Sequence, residues 1–188
     1  MKKQKRTIET DSLLLRGFER SDAKEFYLNC MSDQAVAKYV KGSHHKDMSE
    51  TKRLVRILMK GRAKSNNIYA VFAIVEKRSG RLIGAIEAVY YDESIKRVAV
   101  GYKLGSKWWG KGYATEALRA MIAYLFEGSA VNRIEAIHDV ENAASGRVMQ
   151  KAGMVYEGAH RQSVKNNRGI VDVKTYSILR DEFLNNRV

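Results

Sequence analysis

One stretch of the sequence, residues 98–116, restricts the possible folds more than any other. An apolar, strand-like run ends at Leu104, a loop with Gly110 and Gly112 follows, and a helix-like pattern begins near Tyr113. The start of a helix offers unpaired backbone N–H groups and the positive end of its dipole, and glycines let a phosphate approach that backbone closely. The stretch therefore predicts a fold of sheet and helices with a binding loop for an anion, such as the phosphates of a cofactor.

Two well-known nucleotide-binding patterns fail at this loop. No Gly-Lys-Ser or Gly-Lys-Thr follows a four-residue spacer, as a Walker loop requires. The dinucleotide pattern needs a third glycine where the sequence has Thr115, whose hydroxyl is instead available as a donor in the first helical turn. A tight strand-to-helix turn with no ligand is the alternative at this point.

The rest of the chain is interpreted from the same periodicities. Strands are predicted at residues 13–18, 69–76, 82–90, 98–104, 134–138, 154–160 and 171–179, and helices at 23–31, 113–126 and 142–152, with a short turn in 33–40 and another helix from Ser49. Turns at 77–80 and 166–169 make two hairpins. Hairpins, then strand–helix–strand–helix, then a hairpin indicate one mixed sheet with helices on its faces.

Composition excludes several classes of protein. The chain has 188 residues, 45% of them hydrophobic, which suits a single domain over 1–188. No apolar run is long enough to span a membrane, and the basic start lacks the apolar segment of a secretory signal. Residues 1–10 are interpreted as a flexible basic arm.

The cysteine count and the net charge limit the environment and the partners. Cys30 is the only cysteine, so no intramolecular disulfide or cysteine metal cluster can form, and a reducing cytoplasm is expected. The net charge of +13 favours polyanions, namely nucleic acid, ribosomes or a phosphorylated cofactor. Because the basic residues are scattered, sequence-specific nucleic-acid binding is not expected.

Further motifs occur in order along the chain. They are Gly101-Tyr102, residues 109–117, Asn132–Ala136, Asn142-x-x-Ser145, Lys151-x-Gly153 and Glu157-Gly158, with Leu13-x-Leu15-Arg16 and Asp22 before them and Asp172 and Tyr176-Ser177-x-Leu179 after them. Together they resemble the GNAT acetyltransferases and, within these, the RimJ/RimL type. The resemblance covers nearly the whole chain.

This resemblance implies a fold, a cosubstrate and a set of binding residues. The fold is a mostly antiparallel sheet of about seven strands with a V-shaped split, flanked by about four helices, and the reaction moves an acetyl group from acetyl-CoA to an amine, leaving CoA. The residues implied to hold the cosubstrate are the backbone of Tyr102, Lys103 and Leu104 for pantetheine, the N–H groups of Trp109, Gly110, Lys111, Gly112, Tyr113 and Ala114 for the pyrophosphate, and Asn142, Ser145 and Lys151 on the following helix.

Two usual proton-handling groups of the family are missing. Ala99 stands where many RimJ/RimL-like chains carry Glu, and Met149 stands where many GNAT enzymes carry a tyrosine acid. We predict that Glu87 on the neighbouring strand replaces the missing base. The alternative is that Glu87 is an exposed strand carboxylate without a catalytic role. We predict that Ser145 replaces the missing acid. The alternative is that Ser145 only binds the cosubstrate or caps the helix. His138, at a strand end near the cleft, is the weaker candidate, since a structural histidine explains it as well.

Missing base machinery favours one class of acceptor. An α-amine has a pKa of about 7.7–8.0 and a lysine amine one of about 10.4, so far more of the α-amine is neutral and reactive at pH 7. We therefore predict a protein N-terminus as the acceptor. The basic segment 41–64 disfavours polyamines and suits a ribosomal protein substrate. The enzyme is expected to be a monomer or homodimer without membrane attachment.

Three other functions compete with this prediction. A small-molecule amine N-acetyltransferase would keep the cosubstrate residues and change only the acceptor pocket. A non-enzymatic basic module would bind nucleic acid in a salt-sensitive way and would not be stabilised by acetyl-CoA. A degenerate family member would bind CoA without catalysis.

Overall fold

A computed structural model describes residues 7–60, 68 and 70–185, with only the backbone of Lys60. The strands are β1 Thr7–Glu9, β2 Leu13–Arg16, β3 Val71–Glu76, β4 Arg81–Asp92, β5 Arg97–Leu104, β6 Arg133–Asp139, β7 Val155–Asn166 and β8 Gly169–Leu179. The α-helices are α1 Asp22–Phe26, α2 Gln34–Ala37, α3 Met48–Lys60, α4 Tyr113–Gly128, α5 Ala143–Lys151 and α6 Arg180–Asn185, with a π-helical turn at Tyr27–Met31 and a 3-10 turn at Ser106–Trp108.

The strands form one open sheet in the order β1-β2-β3-β4-β5-β6-β8-β7. Every neighbouring pair is antiparallel except β5 and β6, which pair in parallel only from Arg97–Ala99 to Arg133–Glu135. β5 then continues to Leu104 and β6 to Asp139 without each other. The predicted mostly antiparallel sheet with a V-shaped split is confirmed, although it has eight strands rather than seven and six described helices rather than four.

The extra strand lies in the segment predicted to be a flexible arm. Thr7–Glu9 pairs with β2, so that prediction is wrong for these residues, and residues 1–6 lie outside the described ones. The strand has no apolar alternation because it is an exposed edge strand of three residues. Only its pairing with β2, which is not encoded locally, makes it a strand.

Helices cover the sheet differently on its two faces. α4 and α5 pack on one face, where Leu118, Met121 and Leu125 of α4 are fully buried and each contributes roughly 1.5–3 kcal/mol of hydrophobic stabilisation. α1, α3 and the π-helical turn pack on the other face of β2, β3 and β4, with Phe26 and Val55 in their core. Alternation therefore directs Val98, Val100 and Leu104 of β5 towards α4, and Ala99, Gly101 and Lys103 away from it.

The C-terminal hairpin is longer than the sequence predicted. β7 runs to Asn166 and not to His160, because its second half is polar and gives no strand pattern. The register shifts between His160 and Val164, where Gln162 has a φ of 49° and its backbone N–H donates to Asp172 at 2.8 Å. The predicted turn at residues 166–169 is confirmed.

The other boundaries differ little from the predicted ones. β3 begins at Val71 rather than at Tyr69, which lies outside the described residues. None of the described helices is both long and apolar enough to cross a membrane.

Candidate active site

A cavity of about 1130 Å³ lies where β5 and β6 separate, between the end of β5, the loop before α4 and the first turns of α4 and α5. Twelve of the predicted site residues line it: Tyr102, Lys103, Leu104, Trp109, Gly110, Gly112, Tyr113, Ala114, Thr115, Asn142, Ser145 and Lys151. Two do not, because Lys111 is exposed at the loop tip and Glu87 lies on β4. The binding residues predicted from separate motifs thus meet around one space.

The end of β5 presents unpaired backbone groups to this cavity. Gly105 donates its N–H to Ile83 of the β4 side at 2.9 Å, and backbone groups alternate in direction along a strand. The N–H and C=O of Tyr102 and Leu104 therefore point to the other side, where β6 has already diverged. The Leu104 carbonyl accepts the Trp109 indole N–H at 2.8 Å. No described strand pairs with Tyr102 on this side, so its backbone can pair with an extended ligand that carries amide groups.

The glycine loop is shaped by two left-handed residues. Gly110 and Gly112 have φ values of 75° and 85°, which side chains rarely adopt, and a Cβ at either position would meet no atom within 4 Å. Gly112 is the N-cap of α4 and brings no side-chain cap. The first N–H groups of this 16-residue helix have no side-chain cap and remain open to an anion, beside the open space at Gly112.

Glu76 at the end of β3 holds both flanks of the glycine loop. Its carboxylate accepts hydrogen bonds from the hydroxyls of Ser79 at 2.5 Å and Tyr113 at 2.7 Å, and it lies near the Trp108 indole. These bonds lower the pKa of Glu76, and the bond from Ser79 contributes most. Nothing in the sequence pointed to Glu76, because it lies 37 residues before Tyr113 in a hairpin of its own.

The start of α5 faces the end of β5 across the cavity. Asn142 is the N-cap, and its side-chain oxygen accepts the Ser145 N–H at 3.3 Å. The Ser145 hydroxyl lies 2.9 Å from the Tyr102 hydroxyl, and burial raises the pKa of Tyr102 to about 12. Met149 is 1% exposed and packs in the core, so the position that often carries the family's acid faces away from the cavity.

The charges that line the cavity are mixed, with a small excess of cations. Lys103, Arg119, Arg147 and Lys151 are the basic residues, and Asp11, Glu116 and Glu141 are the acidic ones. The guanidinium of Arg119 binds the Lys151 carbonyl at 3.1 Å, and the Glu116 carboxylate accepts the Ser12 N–H at 2.7 Å. Arg119 therefore connects α4 to the end of α5, and Glu116 connects the first turn of α4 to the loop before β2.

Two carboxylates lie on the other face of the sheet. Glu87 is directly opposite Gly101 in the β4–β5 pairing and is half-buried, with no hydrogen bond or ion pair to the described residues. Glu135 is directly opposite Ala99 in the β5–β6 pairing and is 18% exposed. Arg97 and Arg133 hold Glu135 at 3.6 and 3.4 Å. Only Glu87 is therefore available to another positively charged group.

Two residues noted in the sequence, His138 and Cys30, do not belong to this site. His138 packs under Gly146 of α5, its Nδ1 bonds the Asp139 carbonyl at 2.7 Å, and burial lowers its pKa. It does not line the cavity. Cys30 is fully buried and burial raises its pKa to about 12, so its thiol is unreactive. The described residues contain no group of three metal ligands.

A split sheet beside an anion loop at a helix start defines a class of protein that binds an extended ligand with phosphates, and the acylated pantetheine of acetyl-CoA is such a ligand. The sequence comparison is consistent with this class, since residues 12–155 match the acetyltransferase (GNAT) domain family. The chain belongs to the GNAT family and is an acetyl-CoA-dependent N-acetyltransferase.

Individual relatives extend over nearly the full chain. An uncharacterized N-acetyltransferase p20 of Bacillus licheniformis is 30% identical over 94% of this chain and 98% of its own length. A GNAT-family acetyltransferase structure from Bacillus anthracis has a TM-score of 0.82 at 28% identity, over 94% of this chain and 99% of that one. RimL, a ribosomal L7/L12 α-N-protein acetyltransferase solved with coenzyme A, has a TM-score of 0.80 at 21% identity, over 94% and 99%. The last likeness shows a shared fold.

Proposed function

We propose that this enzyme acetylates the α-amine of a protein N-terminus, with a ribosomal protein as the favoured substrate. The observation that carries the proposal is the carboxylate of Glu87, which none of the described residues pairs with and which lies beside Gly101, across the strand from the cosubstrate cavity. A single carboxylate base, without the other proton-handling groups usual in the family, suits an amine that is already partly neutral at pH 7.

The cosubstrate side uses mostly backbone groups. Acetyl-CoA supplies an acetyl group activated as a thioester. Tyr102 pairs its backbone with the pantetheine arm, and its N–H is the proposed donor to the developing oxyanion. The N–H groups from Trp109 to Ala114, with the Thr115 hydroxyl, hold the pyrophosphate, and Lys151 faces the phosphates.

Proton transfer is assigned to two side chains on opposite sides of β5. Glu87 takes a proton from the attacking amine, since Glu135 is occupied by two guanidinium groups and Ala99 has no proton to exchange. Ser145, whose hydroxyl lies in the cavity, gives a proton to the leaving sulfur. Attack is direct and needs no covalent enzyme intermediate.

The surface charge supports a ribosomal acceptor. Lys52, Arg53 and Arg56 form an exposed basic face on α3, without ion pairs to the described residues. Such a face attracts the phosphates of ribosomal RNA and repels polyamines. RimL, which shares the fold, is described as acting on a ribosomal protein's α-amine.

A synthetic peptide with both a free α-amine and a lysine tests the acceptor class. After incubation with acetyl-CoA at pH 7, tandem mass spectrometry is expected to find at least ten α-acetylated molecules for each Nε-acetylated one. The same peptide with a blocked N-terminus is the control and should remain almost unmodified. Predominant lysine acetylation would overturn the proposal, and turnover only of small amines would assign the enzyme to the small-molecule class.

A further inference from the structure

Tyr102 and Ser145 form a contact across the opening of the sheet. Tyr102 comes from β5 and Ser145 from the first turn of α5, which follows β6, so the contact joins the two diverging halves. The two hydroxyl oxygens are 2.9 Å apart, and both residues line the cosubstrate cavity. The Tyr102 hydroxyl also lies 3.1 Å from the Ser145 carbonyl oxygen.

We propose that Tyr102 is a positioning residue that directs the Ser145 hydroxyl at the sulfur of the leaving thiol. This role rests on the acetyl transfer proposed above. A phenol has one hydrogen and a serine hydroxyl has one hydrogen with two acceptor sites. When Tyr102 donates to the Ser145 Oγ, the hydrogen of Ser145 is free to point into the cavity.

One geometric observation favours this direction of donation. The oxygen–oxygen distance to the Ser145 hydroxyl is shorter than that to its carbonyl oxygen, which also accepts within the helix. Two further observations concern the roles of the two hydroxyls. Tyr102 is protonated in the resting enzyme because burial disfavours its anion, and Met149 packs in the core, which leaves Ser145 as the proton donor to sulfur.

The atoms and electrons of the step balance. The amine nitrogen forms the bond to the acetyl carbon and gives a proton to Glu87, the carbon–sulfur bond breaks, and its electron pair goes to sulfur. The Ser145 proton moves to sulfur while the Tyr102 hydrogen bond stabilises the negative charge that develops on the Ser145 Oγ. Because a phenol is a stronger acid than a serine hydroxyl, the Tyr102 proton then restores Ser145, and a proton from water restores Tyr102.

Removing the phenol hydroxyl in Tyr102→Phe tests this role. We expect kcat to fall about 10-fold, because a hydrogen bond to a developing charge is lost, while the KM for acetyl-CoA changes less than about 2-fold. A binding measurement provides a second readout. Calorimetric titration of the wild type is expected to show tighter binding of CoA than of desulfo-CoA, increasingly so from pH 7 to 9 as the thiol ionises, and Tyr102→Phe is expected to lose most of this preference.

Tyr113→Phe is the matched control, since it removes the same atom from a tyrosine of the same cavity whose hydroxyl bonds Glu76. It should keep the preference for CoA over desulfo-CoA. Ser145→Ala should lose that preference, and adding Tyr102→Phe to it should cost nothing further. Full retention of the preference in Tyr102→Phe, or additive losses in the double variant, would overturn the proposal.

Failure of the proposed function is a separate outcome. It would appear as absence of turnover by the wild type with every amine tested. The CoA and desulfo-CoA titrations would still report on Tyr102 in that case, because they need no acceptor.

Discussion

The two sides of β5 differ in the groups that they offer, which are backbone groups on one side and a side chain on the other. On the α4 side the cavity is made of backbone groups, namely the open strand end and the N–H groups behind Gly110 and Gly112. On the other side the proposed acceptor site depends on one side chain, that of Glu87, which lies opposite Gly101. A backbone site depends on conformation and tolerates most substitutions, whereas a side-chain site changes with a single residue. We therefore expect the cosubstrate side to be the fixed half of the enzyme and the acceptor side the variable half.

The largest effect should come from Gly112→Val, which attacks the backbone side. The substitution combines a φ of 85° with a side chain in the space open to the anion, so acetyl-CoA affinity should fall at least about 100-fold. Calorimetric titration measures it. Gly169→Val is the matched control, because Gly169 has a φ of 106° and open space at the turn of the β7–β8 hairpin and does not line the cavity. Equal loss of affinity in both variants would show that backbone strain, and not the loop, explains the result.

The next largest effect should come from Glu87→Gln, which attacks the side-chain side. Loss of a general base costs about 100-fold or more in kcat, and acetyl-CoA affinity should stay unchanged because Glu87 does not line the cavity. Steady-state kinetics at pH 7 measure both quantities. Glu135→Gln, on the same face but held by two arginines, is the control. A kcat of Glu87→Gln that matches the wild type would remove Glu87 as the base.

The smallest effect concerns stability near the acceptor face. A hydrogen bond from Arg133 lowers the pKa of Glu157 to about 2. A lowered folded-state pKa stabilises the fold above the unfolded value of 4.5, and this contribution disappears as the pH falls from 4.5 towards 2. Glu157→Gln should therefore melt a few degrees below the wild type at pH 7, and the two should converge towards pH 2. A constant difference in melting temperature over pH 2–7 would contradict this.

The same contrast explains which parts could be predicted from the sequence. Residues 98–116 fold into one continuous unit, so neighbouring residues in the sequence encode the strand end, the glycine conformations and the helix start. Glu76 and the Tyr102–Ser145 contact could not be found this way. Each joins residues 37 to 43 positions apart, and hydroxyls and carboxylates on strands give no periodic signal of their partners.

The errors at the sheet edges have the same cause. β1 and the second half of β7 are polar edge segments, and only pairing with β2 and β8 makes them strands. His138 shows the opposite case. Its position at the end of a strand near the split was predicted correctly, but alternation directs its side chain under Gly146. Which face a strand residue occupies depends on the register of its neighbours.

The brief parallel contact of β5 with β6 has a consequence for how the enzyme behaves during turnover. Three residues of β5 pair with β6, and the amide groups beyond them are left without a neighbouring strand. In the proposed binding mode the pantetheine arm, with its own two amides, takes the place of a neighbouring strand, so the cosubstrate acts as a ninth strand of the sheet. Each reaction cycle then removes and replaces a structural member of the fold, and the amides of Tyr102 and Leu104 should exchange with solvent most slowly when CoA is bound.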